Sequence, residues 1–260
     1  MRRPDRHNEI ELNLLQRGSL TYLLGGTRIT LRQGSLGAFW AAIPHQIVAS
    51  EDDPQYFVIT LPLAWFLQCQ LPAKLVDRLL LGQFLSDPDS SRFELDLRLC
   101  RRWQQDLAVD NREPPHATVL ELHARLLRLA AELPDEEPAG RHTIRGVLGE
   151  GGACKAEQMA GYIARHYQEA LSVQAVAREV QLHPNYAMNL FRKTFRATLN
   201  DYLTQYRIAQ AQRLLATTDA KIIQVAMESG FRTLSRFYDA FQRACGCSPS
   251  RYRRDHRLNP

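Results

Sequence analysis

The sequence predicts a chain of two unlike parts: a small β-barrel or jelly roll followed by helices, and then an all-α domain built from two helix-turn-helix units. Three observations lead to this prediction. Apolar residues recur with a period of two from Glu9 to Leu61, the period becomes helical after Pro72, and one short helical pattern occurs twice between Ala177 and Arg254. At 260 residues, the chain has room for two domains, each with its own core.

Short alternating segments separated by turn residues make up the first part. The Gly25-Gly26 pair lies between two such segments, Leu20 to Leu24 and Ile29 to Leu31, which is a hairpin signal. Further glycine, proline and aspartate residues interrupt the pattern up to Pro54. We therefore expect about six short strands, best closed as a small barrel or jelly roll.

Three helical patterns follow Pro72. The first runs from Leu75 to Phe84, the second from Phe93 to Leu107, and the third begins after Pro114-Pro115. The third carries apolar residues at spacings of three and four, namely Val119, Leu122, Leu126, Leu129 and Leu133. Such a stripe suits either packing on the barrel or a seam between two subunits, and the sequence leaves both uses open.

A stretch rich in proline, glycine and acidic residues separates the two parts. It runs from Pro134 to Cys154 without a periodic pattern, so we interpret it as a linker. The predicted organisation is a domain at residues 1–133 whose last helices are candidates for dimerisation, a linker at 134–154 and a second domain at 155–258.

The second domain contains one helical pattern written twice. Ala177 and Ala226 lie where two steeply crossing helices need a small side chain, which is typical of a helix-turn-helix unit. Gly230 marks the bend of the second copy, where a left-handed backbone costs glycine nothing. Gln181 occupies that place in the first copy and departs from the pattern. Two tandem copies are much more specific than one.

Positive charge is concentrated in this second domain. From Lys155 to the end there are 16 Lys and Arg against 8 Asp and Glu, a net charge of +8, whereas residues 1–154 hold the remaining 17 and 20, a net charge of −3. The charge alone would fit a solvated helical surface. Charge and repeat together indicate a nucleic-acid partner.

The end of the chain resembles a known family. The runs Ser229-Gly-Phe231, Ser235-Arg-Phe-Tyr-Asp-Ala-Phe-Gln-Arg243 and Gly246-Cys-Ser-Pro-Ser-Arg-Tyr-Arg253 are similar to the segment that closes the DNA-binding domain of the AraC/XylS transcription regulators. Within the family, residues 185–191 and 235–238 look most like those of a regulator of α-galactoside utilisation. The resemblance implies a cupin-like sensing domain at the N terminus. The family commonly has basic residues where Asp239 and Gln242 stand, so its base contacts are not carried over.

The second helix of each unit has a polar face that suits DNA. Asparagine pairs bidentately with adenine in the major groove, and arginine binds phosphate or guanine. Asp239 either accepts a hydrogen bond from a cytosine amino group or forms a helical ion pair with Arg236 or Arg243. The predicted DNA-binding residues are His183, Asn185, Met188, Asn189, Arg192, Thr233, Ser235, Arg236, Asp239 and Arg243.

A helix without glycine or proline joins the two units. It lies between Ala197 and Lys221, and a rod of about 25 Å would hold two recognition helices near the roughly 34 Å separation of successive major-groove faces. Local expectations for the units are that Ser172, Asp219 and Thr233 cap helices, that Pro184 opens one, and that Tyr186 is partly buried.

The N-terminal part offers candidates for a ligand site. Sugar pockets stack a ring on an aromatic side chain and bind hydroxyl groups with carboxylate, amide or imidazole groups. Because the family resemblance implies a ligand pocket in this part, Glu11, Asn13, Trp40 and His45 are predicted to bind the ligand, with a place in the core as the alternative for Trp40.

His7, Glu11 and His45 resemble parts of the two cupin motifs. A metal-binding cupin has a further histidine where this chain has Asp5, so no metal is assigned. The three residues remain candidates for either a divalent-metal site or a polar patch in a ligand pocket.

No segment indicates export or membrane insertion. The basic start is not followed by an apolar signal core, and the longest apolar run, Tyr56 to Leu67, is too short to span a bilayer. The five cysteines, an odd number without paired metal-ligand spacing, indicate reduced thiols. We expect a cytoplasmic protein without a cofactor.

These observations predict an effector-responsive regulator of transcription rather than an enzyme, and the resemblance implies an activator of a carbohydrate-utilisation operon. The expected partners are double-stranded DNA, a small-molecule effector implied to be a sugar such as an α-galactoside, RNA polymerase, and a second copy of the chain. The rival from another class is a metal-dependent cupin enzyme using His7, Glu11 and His45 with an accessory helical domain. A third hypothesis, a purely architectural DNA-binding protein, predicts no response to small molecules.

Overall fold

The computed structural model describes residue 5 and residues 7–87, 90–108, 115–134 and 155–257. Within them, the strands are β1 (Glu9–Leu24), β2 (Thr27–Arg32), β3 (Leu36–Trp40), β4 (His45–Pro62) and β5 (Leu85–Ser86). The helices are α1 (Leu63–Gln68), α2 (Ala73–Leu80), α3 (Phe93–Ala108), α4 (His116–Glu132), α5 (Lys155–His166), α6 (Val173–Glu179), α7 (Pro184–Phe195), α8 (Leu199–Thr217), α9 (Ile222–Glu228), α10 (Leu234–Cys245) and α11 (Pro249–His256).

The strands form one curled antiparallel sheet. Its order is β2-β1-β3-β5, and β4 pairs with β1 along nearly its whole length. The predicted fold class, a cupin-like β domain followed by a helical helix-turn-helix domain, is confirmed.

The expected number of six short strands is wrong, because β1 and β4 each join two of the expected strands into one long strand. β1 and β4 keep pairing through shifts of register near Gly18, where Asp52 and Asp53 take left-handed backbone angles. Bulges of this kind bend a strand without ending it.

The helices of the first domain pack against the sheet and each other. Phe84 was expected to be helical, but α2 ends at Leu80. The Phe84 ring stacks on that of Phe39, with the ring centroids 5.8 Å apart. The apolar stripe of α4 and its C-cap is buried within the chain, at Leu122, Leu126, Leu129 and Leu133. Of the two uses left open, the stripe therefore serves packing within the domain and not a seam between subunits. Buried Arg125 fixes α4 by donating hydrogen bonds of 2.6 Å to Asp96 and Asp87.

In the second domain, α8 is the central element and is buried on several faces. Tyr202 and Leu203 join the core of the first helix-turn-helix unit, while Ile208 and Leu215 join the core of the second. Tyr206 and Ala209 instead pack into the core of the first domain. With 19 residues, α8 is a rod of about 28 Å, slightly longer than expected.

The two domains are in direct contact through the β1–β2 hairpin. Arg28 Nε and Nη2 each donate a hydrogen bond of 2.7 Å to the carboxylate of Glu157 on α5. Gly26 lies so close to α5 that a Cβ added there would be 2.1 Å from the backbone nitrogen of Gly161. Most of the predicted linker, residues 135–154, lies outside the described residues, and the domain boundaries stay a prediction. None of the described helices has the length and apolar character needed to cross a membrane.

Candidate nucleic-acid interface and effector site

The turns of the two helix-turn-helix units have the same backbone geometry. The Leu182 N–H donates to the carbonyl of Ala177 at 2.9 Å, and the Phe231 N–H donates to the carbonyl of Ala226 at 3.0 Å. Gln181 has a φ of 54° and Gly230 a φ of 86°. Gln181 therefore adopts the left-handed conformation of its glycine counterpart, although a side chain makes that conformation costly.

Close packing explains why the second turn has glycine. A Cβ at Gly230 would lie 2.5 Å from the carbonyl oxygen of Tyr167, at the end of the supporting helix. Gln181 is exposed, so its side chain extends into solvent. The two turns are alike in conformation and differ in the space around them.

The α7 helix presents the first predicted DNA-binding face. Ser172 caps the preceding helix, accepting from the Ala175 N–H at 3.1 Å, and Pro184 stands in the first turn of α7, as expected. The residues predicted to face outward are all exposed, namely His183, Asn185, Met188, Asn189 and Arg192.

The expected partial burial of Tyr186 is wrong, since it is 59% exposed. Ala187, Phe191 and Phe195 already fill the buried stripe of α7. Tyr186 lies beside that stripe on the helix surface.

The α10 helix presents the second face. Thr233 caps it by accepting from the Arg236 N–H at 3.4 Å, and Phe237, Ala240 and Phe241 are buried. The predicted outward residues, Thr233, Ser235, Arg236, Asp239 and Arg243, are exposed. Arg243 Nε donates to the backbone carbonyl of Asp239 at 3.2 Å. Among the described residues, the Asp239 carboxylate forms no ion pair with Arg236 or Arg243, so it is open to a base.

The expected cap at Asp219 is wrong. α9 begins after Lys221 without a side-chain cap. Asp219 forms an ion pair with Arg257 instead, and Thr218 Oγ1 accepts from the Ala220 N–H at 3.4 Å. The turn before α9 is thereby held to the C-terminal end of the chain.

In the first domain, the register of the sheet separates the residues predicted to bind the ligand. Directly paired residues point to the same face of a sheet, and Glu11 pairs with Phe39 whereas Ile10 pairs with Trp40. Trp40 therefore lies on the face opposite Glu11 and is fully buried. Its predicted grouping with Glu11, Asn13 and His45 is wrong, and the alternative, a place in the core, is confirmed. Phe39 is the aromatic residue on their side, its ring centroid 4.9 Å from that of His45. Only the register, which the sequence does not reveal, distinguishes the two aromatics.

His7, Glu11 and His45 do lie together. His7 Nε2 is 3.3 Å from Glu11 Oε1, and His45 Nε2 is 4.0 Å from Glu11 Oε2. The hydrogen bond with Glu11 raises the pKa of His7, against the opposing effect of burial. Burial acts to raise the pKa of Glu11, but its contacts with His7, His45 and Asn13 leave that pKa below its ordinary value. Burial lowers the pKa of His45, which favours the neutral ring.

This polar group is buried except at His7. Asn13 and His45 are 1% exposed and Glu11 is 5% exposed, whereas the side chain of His7 is 26% exposed. His7 and Asn8 line a cavity of about 240 Å³ together with residues of the second domain, namely Gln212, Ala244, Cys245, Cys247, Tyr252 and His256. The sequence gives no signal for this cavity, because residues distant in the chain form it.

Comparisons with known proteins agree with this arrangement. Residues 176–255 match the helix-turn-helix domain family, and residues 1–139 match the AraC-like ligand binding domain family. The chain is 31% identical over 255 residues to the melibiose operon regulatory protein of Escherichia coli (strain K12), which covers 95% of this chain and 82% of that protein.

Two further similarities cover a smaller share of the chain. The regulatory protein SoxS of the same strain is 31% identical over 102 residues, 39% of this chain and 94% of SoxS. Among solved structures, the DNA-binding domain of AdpA in complex with a target DNA is 29% identical, with a TM-score of 0.36, covering 38% of this chain and 89% of that one.

The ligand-binding match spans more than half of the chain, and the similarity to the melibiose operon regulatory protein extends through both domains. The chain belongs to the AraC family of DNA-binding transcription regulators, as the resemblance of its C-terminal segment implied.

Proposed function

We propose that the chain activates a carbohydrate-utilisation operon in response to a sugar of the α-galactoside class, such as melibiose. The observation that carries the DNA-binding part is the pair of matched helices, α7 and α10, whose units pack on opposite halves of α8. The effector class rests on the similarity to the melibiose operon regulatory protein. The chain would work in the cytoplasm, and we assign it no catalytic step, since the relatives described above are regulators.

The two helices would read successive major-groove segments of one duplex. Asn185 and Asn189 on α7 suit adenine, and Arg236 on α10 suits guanine or phosphate. Asp239, free of an ion pair with its arginine neighbours, suits the amino group of cytosine. Exposed basic residues outside these faces would contact phosphates and make binding depend steeply on salt, namely Lys193, Arg196, Arg232, Arg251 and Arg254.

The sugar would bind in the first domain against Glu11, Asn13 and His45, with Phe39 in place of Trp40 as the stacking ring. These side chains are buried, so entry requires the site to open, and the partly exposed His7 is the natural point of entry. Bound sugar would thereby change the contacts that the first domain makes with the second.

A second copy of the chain and RNA polymerase complete the proposed assembly. The buried stripe of α4 is not available for dimerisation, but Leu120 and Leu127, one heptad apart, are 53% and 41% exposed. We place the partner chain on this face. Leu120→Glu combined with Leu127→Glu should shift sedimentation towards monomer, and an unchanged profile would move the dimer contact elsewhere.

Selection of bound duplexes from a random pool tests the DNA-binding part of the proposal. A two-part operator, with its halves about one helical turn apart, is expected. Thermal-shift screening against sugars, and transcription with purified RNA polymerase from a promoter carrying the operator, then test the effector. A shift and increased transcript with an α-galactoside are expected. Transcription that no sugar changes would contradict the proposed effector class.

A further inference from the structure

We propose that His7, Glu11 and His45 bind one divalent transition-metal ion of the zinc, cobalt or nickel class. A ligand atom from each of the three side chains lies within 4.8 Å of the other two. A point equidistant from three atoms at that separation is about 2.8 Å from each, roughly 0.7 Å longer than a zinc–nitrogen bond. Small side-chain rotations are enough to close the site.

The hydrogen bonding of His45 leaves a nitrogen lone pair aimed at the site. Its Nδ1 lies 3.0 Å from the carbonyl oxygen of Ile43, which can only accept, so Nδ1 carries the proton. In the neutral ring, Nε2 is then an acceptor; it is buried and has no hydrogen-bond partner in the described structure. Glu11 Oε2, also an acceptor, faces it at 4.0 Å. Two buried acceptors thus face each other without a donor between them; a cation there would give His45 Nε2 the partner it lacks and would add to the hydrogen bond that Glu11 Oε2 already accepts from Asn13.

Two of the three side chains have a hydrogen-bonding partner that orients them: His45 Nδ1 is held by the Ile43 carbonyl, and Asn13 Nδ2 donates to Glu11 Oε2 at 3.3 Å. His7 Nδ1 lies 2.6 Å from a carboxylate oxygen of Glu9, at ion-pair distance. Carboxylates and carbonyls bonded to the far nitrogen of a histidine are the usual second shell of metal sites. The arrangement is therefore more than a chance cluster of three polar groups.

Access and ligand chemistry narrow the kind of ion. His7 connects the site to the cavity between the domains, which gives an ion a path of entry. Two imidazole nitrogens and one carboxylate favour zinc, cobalt or nickel over magnesium or calcium, which prefer oxygen ligands. Three protein ligands leave coordination positions for water or for hydroxyl groups of an effector. Binding of an effector to the metal rests on the proposed function, whereas the metal site itself does not.

Metal titration of the untagged full-length protein tests the proposal. After removal of metal with a chelator, Co²⁺ should bind at one ion per chain and produce a visible absorption band. Zn²⁺ should displace it, and millimolar Mg²⁺ should not. Equilibrium titration should show that Glu11→Gln and His45→Ala each weaken binding by at least about 100-fold, while Asn13→Ala weakens it by about 10- to 100-fold.

Matched variants distinguish the site from adventitious binding. His116→Ala, at an exposed histidine, should leave the Co²⁺ band and affinity unchanged. Glu11→Gln preserves side-chain shape, and its circular dichroism spectrum and cooperative thermal unfolding report whether the chain remains folded. Absence of stoichiometric binding by the wild type, or equal binding by folded Glu11→Gln, would overturn the assignment. Metal binding is measured directly, so a failure to find a sugar effector would contradict the proposed function but not the metal site.

Discussion

The two helix-turn-helix units share their backbone geometry but differ in how they are attached to the first domain. The supporting helix of the first unit is tied to the sheet by the Arg28–Glu157 pair, and Leu23 of β1 belongs to that unit's core. The second unit contacts the first domain through α11, which packs against α1, and it lines the cavity beside His7 with Cys245 and residues of α11. A ligand at the cavity would thus lie against the second unit and not against the Arg28–Glu157 attachment of the first. Sequence repetition alone does not indicate this asymmetry.

Breaking α8 should abolish the cooperation of the two units and is the largest expected effect. In Gln210→Pro, proline removes a helical hydrogen bond and disrupts the backbone at a buried position, costing about 3 kcal/mol or more. Operator affinity, measured by fluorescence anisotropy, should fall to the level of nonspecific binding. Gln210→Ala controls for loss of the side chain and should retain specific binding. Unchanged affinity in Gln210→Pro would refute the role of α8 as a rigid spacer.

The two turns should respond in opposite directions to exchange of their left-handed residues. Gly230→Ala combines a left-handed backbone with a contact against the Tyr167 carbonyl, so the free energy of unfolding should fall by about 2–3 kcal/mol. Gln181→Gly relieves the same backbone cost in open surroundings and should be neutral or stabilising by less than about 1 kcal/mol. Chemical denaturation measures both changes. Equal destabilisation by the two variants would show that crowding at Gly230 is not what separates the turns.

Side chains on the two recognition helices should affect different halves of the operator. Asn189→Ala should relax preference at one base pair by about 1–3 kcal/mol, because a bidentate contact is lost. Asp239→Ala should relax preference in the other half. Competition binding against single-base variants of the operator measures each effect. A uniform loss over all sequences would reassign Asn189 to contact with the DNA backbone.

Loosening the first unit from the sheet should have the smallest effect. Arg28→Ala leaves buried Glu157 without its partner, but the arginine side chain is 41% exposed, so water screens part of the loss. We expect the free energy of unfolding to fall by about 1–2 kcal/mol, with Arg32→Ala, at an exposed position of the same strand, as the control. If the two variants are equally stable, the ion pair does not anchor the unit.

The sequence predicted elements that depend on local patterns and missed features that depend on register or on distant contacts. Ser172, Pro184 and the stripe of Phe237 and Phe241 followed from helix chemistry. Trp40 and Phe39 are adjacent in the chain, and only strand pairing decides which of them shares a face with Glu11. The cap assigned to Asp219 failed because α9 begins later, with Lys221 at the cap position, and Asp219 pairs with Arg257, which is distant in sequence.

Hydroxyl-radical footprinting of the full chain on its selected operator tests the central claim most directly, namely that one chain reads two major-groove segments through two units joined by α8. We predict two protected segments, about one helical turn apart on the same face of the duplex, with Asn189→Ala weakening protection of one segment and Asp239→Ala of the other. One protected segment per chain, or loss of the same segment in both variants, would contradict the account.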